Sequence, residues 1–282
     1  MRITHHNYDT EFCHEEGERA AIRHLDIHKQ FLKSDMNRIF MFSDTCVRAF
    51  HYYQFIALDQ PKAIEHFFLY QRAKAAYLQL AMAEPGVEHE LRFNHEWTFH
   101  IKSAVVRSHT DTGYWQTALM TSLIARDHAA VQSLLNFSVE RMRNATAKGP
   151  EYTFLYADFM HAAFRGEPDA GQKLLTAYKA TDPSMMWESY VDVMLKMDVP
   201  EMDLWTCYLS NDPKGFNEKL AVALELNKEL ESRTPKNIYT LVNYPLTCFA
   251  SMAYDRGWEL TVSSDYMPEW MIKGEFWGID KL

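Results

Sequence analysis

His24 and His28 stand four residues apart, a spacing that puts two imidazoles on one face of a helix, as zinc ligands often are. With nearby carboxylates such a pair would hold a metal that activates water for hydrolysis. No third ligand follows at a diagnostic spacing, and two histidines do not make a site. His14-Glu15 runs on to Gly17-Glu18 and lacks the second histidine of H-E-x-x-H. In His95-Glu-Trp-Thr-Phe-His100 the histidines are five apart, which on a helix turns them about 140° away from one another. Cys13, Cys46, Cys207 and Cys248 form no C-x-x-C pair, so neither a zinc site nor a dithiol couple is indicated. Four reduced thiols in a cytoplasmic protein are the expectation.

Nucleophilic and phosphate chemistry finds no motif either. There is no G-x-S-x-G elbow, no cysteine in a papain-like or caspase-like setting, and no phosphate-cradling glycine loop. Glu15 with Glu16, and Glu229 with Glu231, read as solvated charge on polar helix faces. The sequence thus assigns no catalytic, cofactor-binding or metal-ligating residue, and no enzyme is expected. A formal charge of -9 argues against nucleic acid, which needs clustered Lys and Arg, and suits a basic protein partner. Aromatics are plentiful, with 15 Tyr, 17 Phe and 7 Trp, and exposed ones anchor interfaces. Trp115 precedes Ala118 and Leu119 at helical spacing and is placed in the interior. Tyr266, Trp270, Phe276 and Trp277 are less regular; they either cover the end of the stack or meet a partner.

The elements that would position any such residue are helical. Only 10 of 282 residues are glycine, below the usual share of about 7%, too few for frequent hairpin turns. Ile39 to Leu58 is apolar on most sides and reads as a central helix. From Pro61 a second helix carries Ile64, Phe67, Phe68, Ala75, Leu78 and Met82 inward, with Lys62, Glu65, Arg72 and Gln79 opposite. Four junctions combine apolar residues, an acid and often a proline: Ala57 to Lys62, Ile124 to His128, Phe164 to Pro168 and Leu209 to Pro213. Each reads as a helix hairpin, with an acidic cap and proline at the first helical position. The acids Asp127, Glu167 and Asp212 recur at about the 40 to 47 residues of helical-pair repeats. Solenoid-like stacked helical hairpins and an irregular helical bundle are the two all-α architectures that fit.

Beyond Pro213, Phe216, Leu220, Ala223, Leu224 and Leu230 mark a buried face, with Glu218, Glu225 and Lys228 outside. Pro235 is expected to begin a helix that ends at Arg256-Gly257, where glycine takes the left-handed conformation. Trp258 to Val262 reads as extended, and Ser263 or Ser264 as the cap of a last turn. The uncharged run from Asn237 to Tyr254 contains Asn243, Pro245 and Thr247 and fits a buried helix better than a membrane span. Met1-Arg-Ile-Thr-His-His has no apolar core and does not read as a secretion signal. One all-helical domain over residues 1–282, without membrane attachment, is the expectation.

Four stretches resemble a known family: Tyr114-Trp-Gln-Thr-Ala-Leu-Met-Thr-Ser-Leu-Ile-Ala-Arg-Asp127, Asn211-Asp-Pro-Lys-Gly-Phe-Asn-Glu-Lys-Leu-Ala-Val-Ala-Leu224, Ala253-Tyr-Asp-Arg-Gly-Trp258 and Val262-Ser-Ser-Asp-Tyr-Met-Pro-Glu-Trp270. Together they resemble the immunity protein 49 family of bacterial polymorphic toxin and type VI secretion systems. The likeness spans residues 73–270, after generic helices to residue 72 and before an aromatic tail over 271–282. It implies an all-helical protein that binds and neutralises a cognate secreted toxin, protecting the producing cell and its kin, with no cofactor. A basic, nuclease-like toxin would suit the acidic charge. A helical-repeat scaffold without any toxin is the alternative, and a metal-dependent hydrolase using His24 and His28 a third class. The resemblance makes Trp115, Asp127, Asp212, Pro213, Gly257 and Pro268 structural. Toxin contacts are expected at Asp265, Tyr266, Glu269, Trp270 and Trp277.

Overall fold

The computed structural model describes residues 1–24, 26, 36–95 and 97–276. In chain order these form strand β1 (Arg2–Ile3), helices α1 (Thr10–Glu18), α2 (Asn37–Phe55) and α3 (Gln60–Met82), and strands β2 (Glu88–Arg92) and β3 (Thr98–Lys102). Next come α4 (Thr112–Ile124), α5 (His128–Leu134), α6 (Val139–Arg143), α7 (Glu151–Arg165), α8 (Ala170–Lys179) and α9 (Glu188–Val193). The rest comprises α10 (Val199–Leu209), α11 (Pro213–Glu231), α12 (Tyr244–Asp255), β4 (Ser263–Ser264) and α13 (Glu269–Lys273). The fold is all-α and bundle-like. Helices α2 and α3, α7 and α8, and α10 and α11 pack as hairpins, while α12 lies against α4, far away in sequence. A one-dimensional array touches only neighbouring repeats, so this architecture is the irregular bundle.

The junctions show why the acids recur. Asp59, Asp127 and Asp212 cap α3, α5 and α11, their carboxylates accepting from the amides of Lys62, Ala130 and Gly215. Each follows a left-handed residue, Leu58, Arg126 or Asn211. The amides of Asp127 and Asp212 reach back to the carbonyls of Ser122 and Cys207, closing the preceding helix. At the remaining junction Gly166 takes the left-handed place and Glu167 closes the turn, but α8 begins later, at Ala170 after Asp169. Gly257 ends α12 with φ +82°, and Trp258 closes that turn onto Ala253.

Several expectations change. Helix α3 is enclosed well beyond its apolar stripe: Lys62 and Glu65 face solvent, but His66, Gln71 and Lys74 are buried. The amide of Gln71 donates to Ser122 and Asp127, and the Lys74 ammonium lies 3.7 Å from the Tyr114 ring centre. No helix begins at Pro235. Asn243 caps α12 instead, and Pro245 sits in its first turn, where no donor is lost. Ser263 and Ser264 form a short strand, from which the Ser264 hydroxyl caps the next turn by accepting the Tyr266 amide, and Pro268 precedes α13. Residues 88–102 form an unanticipated hairpin, pairing Glu88 with Lys102 and Arg92 with Thr98. Its alternation in Thr98-Phe-His-Ile-Lys102, with Phe99 and Ile101 inward, was the available signal. His95 and His100 therefore sit on a hairpin, where helix rotation does not apply.

Among the described residues, a continuous hydrophobic cluster runs from Ile3 to Ile272. No described helix is long and apolar enough to cross a membrane.

Candidate functional site

The last family-like stretch lines an open groove of about 850 Å³ between the chain's two ends. Trp258, Asp265, Pro268 and Glu269 line it together with Arg2, His5 and Gln54. Strands β1 and β4 pair in parallel, Arg2 beside Ser263 and Ile3 beside Ser264. Asp265 then donates its amide to Ile3, and the Ser264 hydroxyl accepts the Tyr266 amide to turn the chain inward.

Beneath this groove lie the aromatics expected to meet a partner. Tyr266 is 0% exposed, and its hydroxyl accepts the His6 amide at 2.8 Å and faces His6 Nδ1 at 2.7 Å. Trp270 is 6% exposed, surrounded edge-on by Phe50, Phe67 and Phe276, with its indole N–H donating to Gln54 at 2.9 Å. In the free chain both serve as interior supports, each buried with its polar atom satisfied. Asp265 and Glu269 lie on the rim, each already paired within the chain, to Arg2 at 3.0 Å and Lys273 at 2.5 Å. Trp277 lies outside the described residues.

The other family-like stretches reach this same region. Arg126, in the left-handed conformation, donates to the carbonyls of Met271 and Ile272 and pairs with Asp255. It thereby ties the end of α4 to the end of α13. Asn217 on α11 donates to the Glu259 carbonyl at 3.0 Å and accepts the Thr261 amide at 2.7 Å, which holds the extended segment. Gly215 lets this helix start close: an added Cβ would meet the Asp212 carboxylate at 2.1 Å. Trp115 is fully buried and donates its indole N–H to Leu134. Sequence reasoning placed Trp115, Asp127, Asp212, Pro213 and Gly257 in structural positions but passed over Arg126 and Asn217. Their partners are remote in sequence, so no local pattern announces them.

A second polar cluster is enclosed between α4, α7 and α10. Tyr156 and Gln116 donate to the Glu201 carboxylate, and Tyr152 donates to Asp198. Burial raises Asp198 to about 6, and burial with the neighbouring Asp198 raises Glu201 well above the usual carboxyl range. A π-helical turn over Met194–Asp198 leads into this pair. Burial likewise holds His51 down to about 3 and His66 to about 4, and lowers Lys74 to about 7.

Among the described residues, no group of three or more His, Cys, Asp or Glu could hold a metal ion. His28 and the His24 side chain lie outside the described residues. All four cysteines are free and buried, and burial lifts each thiol above its ordinary pKa, which disfavours the reactive thiolate.

An all-α bundle with an open groove, stabilised by hydrogen bonds among its own remote stretches, is the class that these features define. The model of the family described as Immunity protein 49 matches residues 56–271. The chain belongs to the immunity protein 49 family. The match begins earlier than residue 73 and takes in all of α3. No curated protein and no solved structure matches the chain.

Proposed function

We propose that this protein neutralises a cognate antibacterial toxin by direct stoichiometric binding, protecting the producing cell and its kin. The observation that carries this reading is the family match across residues 56–271, which supports inhibition over a scaffold that serves no toxin. The toxin is of the polymorphic, secreted kind, delivered by a type VI or comparable route, and the inhibitor acts in the cytoplasm. A basic toxin such as a nuclease suits the charge of -9, because opposite fields speed encounter. Inhibition requires no reaction by this chain, only a surface that blocks the toxin's active site or holds it inactive.

Co-expression tests the proposal. Cells producing the toxin encoded beside this gene should survive when the chain is present and die when it is absent. Persistent killing by a toxin that also fails to co-purify with the folded chain would overturn it.

A further inference from the structure

We infer that the segment from Asp182 to Glu188 docks a basic protein surface, with Met185 and Trp187 as its anchors. The partner is the toxin of the proposed function, and the inference rests on that reading.

Trp187 is 56% exposed and Met185 79% exposed. Among the described residues every other tryptophan is buried or half-buried, so Trp187 is the exception. Trp and Met are enriched at protein interfaces, and an exposed Trp two residues from an exposed Met offers that kind of anchor. These two are also held in place. The Asp182 carboxylate accepts from the amide and hydroxyl of Ser184 at 2.9 and 2.8 Å, fixing the tight turn Pro183–Met185. Met186 packs inward against the core between its exposed neighbours. Trp187 then precedes α9, its carbonyl accepts the Tyr190 amide, and its ring meets Tyr190 edge-on at 5.5 Å. An anchor ordered before binding loses less entropy on association.

Charge selects the occupant. Asp182 and Glu188 are exposed beside the anchors, and among the described residues no cation pairs with either. An apolar partner would strip water from two carboxylates without compensation. Nucleic acid is repelled, and a second copy brings the same charge of -9. A protein surface bearing Lys or Arg around an apolar pocket satisfies both requirements.

Calorimetric titration of the full chain with the toxin domain encoded beside its gene tests the inference. Trp187→Ala and Met185→Ala should each weaken binding, with Trp187→Ala losing about thirtyfold, the scale of an interface hot spot. Trp187→Phe should retain part of the affinity. Glu188→Lys should weaken binding and reduce its salt sensitivity, while Glu259→Ala and Glu269→Ala in the groove stay within about twofold. If wild type binds and both anchor variants bind equally well while circular dichroism shows them folded, binding stands and this surface is wrong. If wild type does not bind, the proposed function fails together with the inference.

Discussion

Trp258 to Lys273 and Asp182 to Glu188 both carry aromatic and acidic residues, and the two segments use them in opposite ways. In the first, Tyr266 and Trp270 are buried with their polar atoms satisfied, and Asp265 and Glu269 are paired within the chain. In the second, Trp187 stands in water, and Asp182 and Glu188 carry their charge outward. The last family-like stretch thus spends its two large aromatics inside the fold. The contrast separates what makes this chain fold as a member of its family from what would let it choose a partner.

The sharpest way to break that contrast is to remove the interior aromatics. Trp270→Ala should lower stability by about 3–5 kcal/mol in urea unfolding, the cost of emptying a packed site. By comparison Trp187→Ala should change it by less than about 0.5 kcal/mol. Arg126→Ala should cost about 2–3 kcal/mol, because it leaves the carbonyls of Met271 and Ile272 without their donor. Asn217→Ala, losing its bonds to Glu259 and Thr261, should cost about 2 kcal/mol, with proteolysis near residue 260 as a local readout.

A smaller effect concerns the carboxyl pair behind the turn that leads out of α9. Asp198 and Glu201 titrate above their ordinary range when folded, so the native state holds protons that the unfolded chain releases near pH 4. The contribution of Asp198 is whole below about pH 4 and is lost as pH rises through about 6, and that of Glu201 is lost at higher pH, as its carboxyl is raised further. Glu201→Gln should accordingly match wild type near pH 4 and be the more stable of the two at pH 8. His51 and His66, lowered by burial, act in the opposite sense, so the informative quantity is the difference between variant and wild type. A small gain is expected at Leu58, exposed and left-handed with φ 52°. Leu58→Gly should raise stability by up to about 1 kcal/mol.

Local physics was legible in the sequence, and remote contact was not. Asp59, Asp127 and Asp212 announced their helix starts because a cap and its amide lie three residues apart. Gly257 announced a helix end for the same reason. The hairpin at 88–102 was missed because its alternation is short and falls among polar residues. Pro235 was misread because two prolines stood near one helix, and only the second lies in its first turn. Arg126 is far in sequence from the carbonyls it holds, so its role depends on the assembled fold. Tyr266 and Trp270 looked irregular because they lie on a turn and a single-turn helix, where periodicity cannot separate inside from outside. Trp187 carried no signal at all until its exposure was seen.

Titration of the purified chain into a fixed amount of the neighbouring toxin, followed by the toxin's own activity, tests the central claim most directly. An inhibitor that works by binding gives a linear loss of activity that ends at one chain per toxin, with a stable complex at the same ratio. Loss of activity at a small fraction of that ratio would make the chain a catalyst, and undiminished activity at excess would contradict the immunity reading.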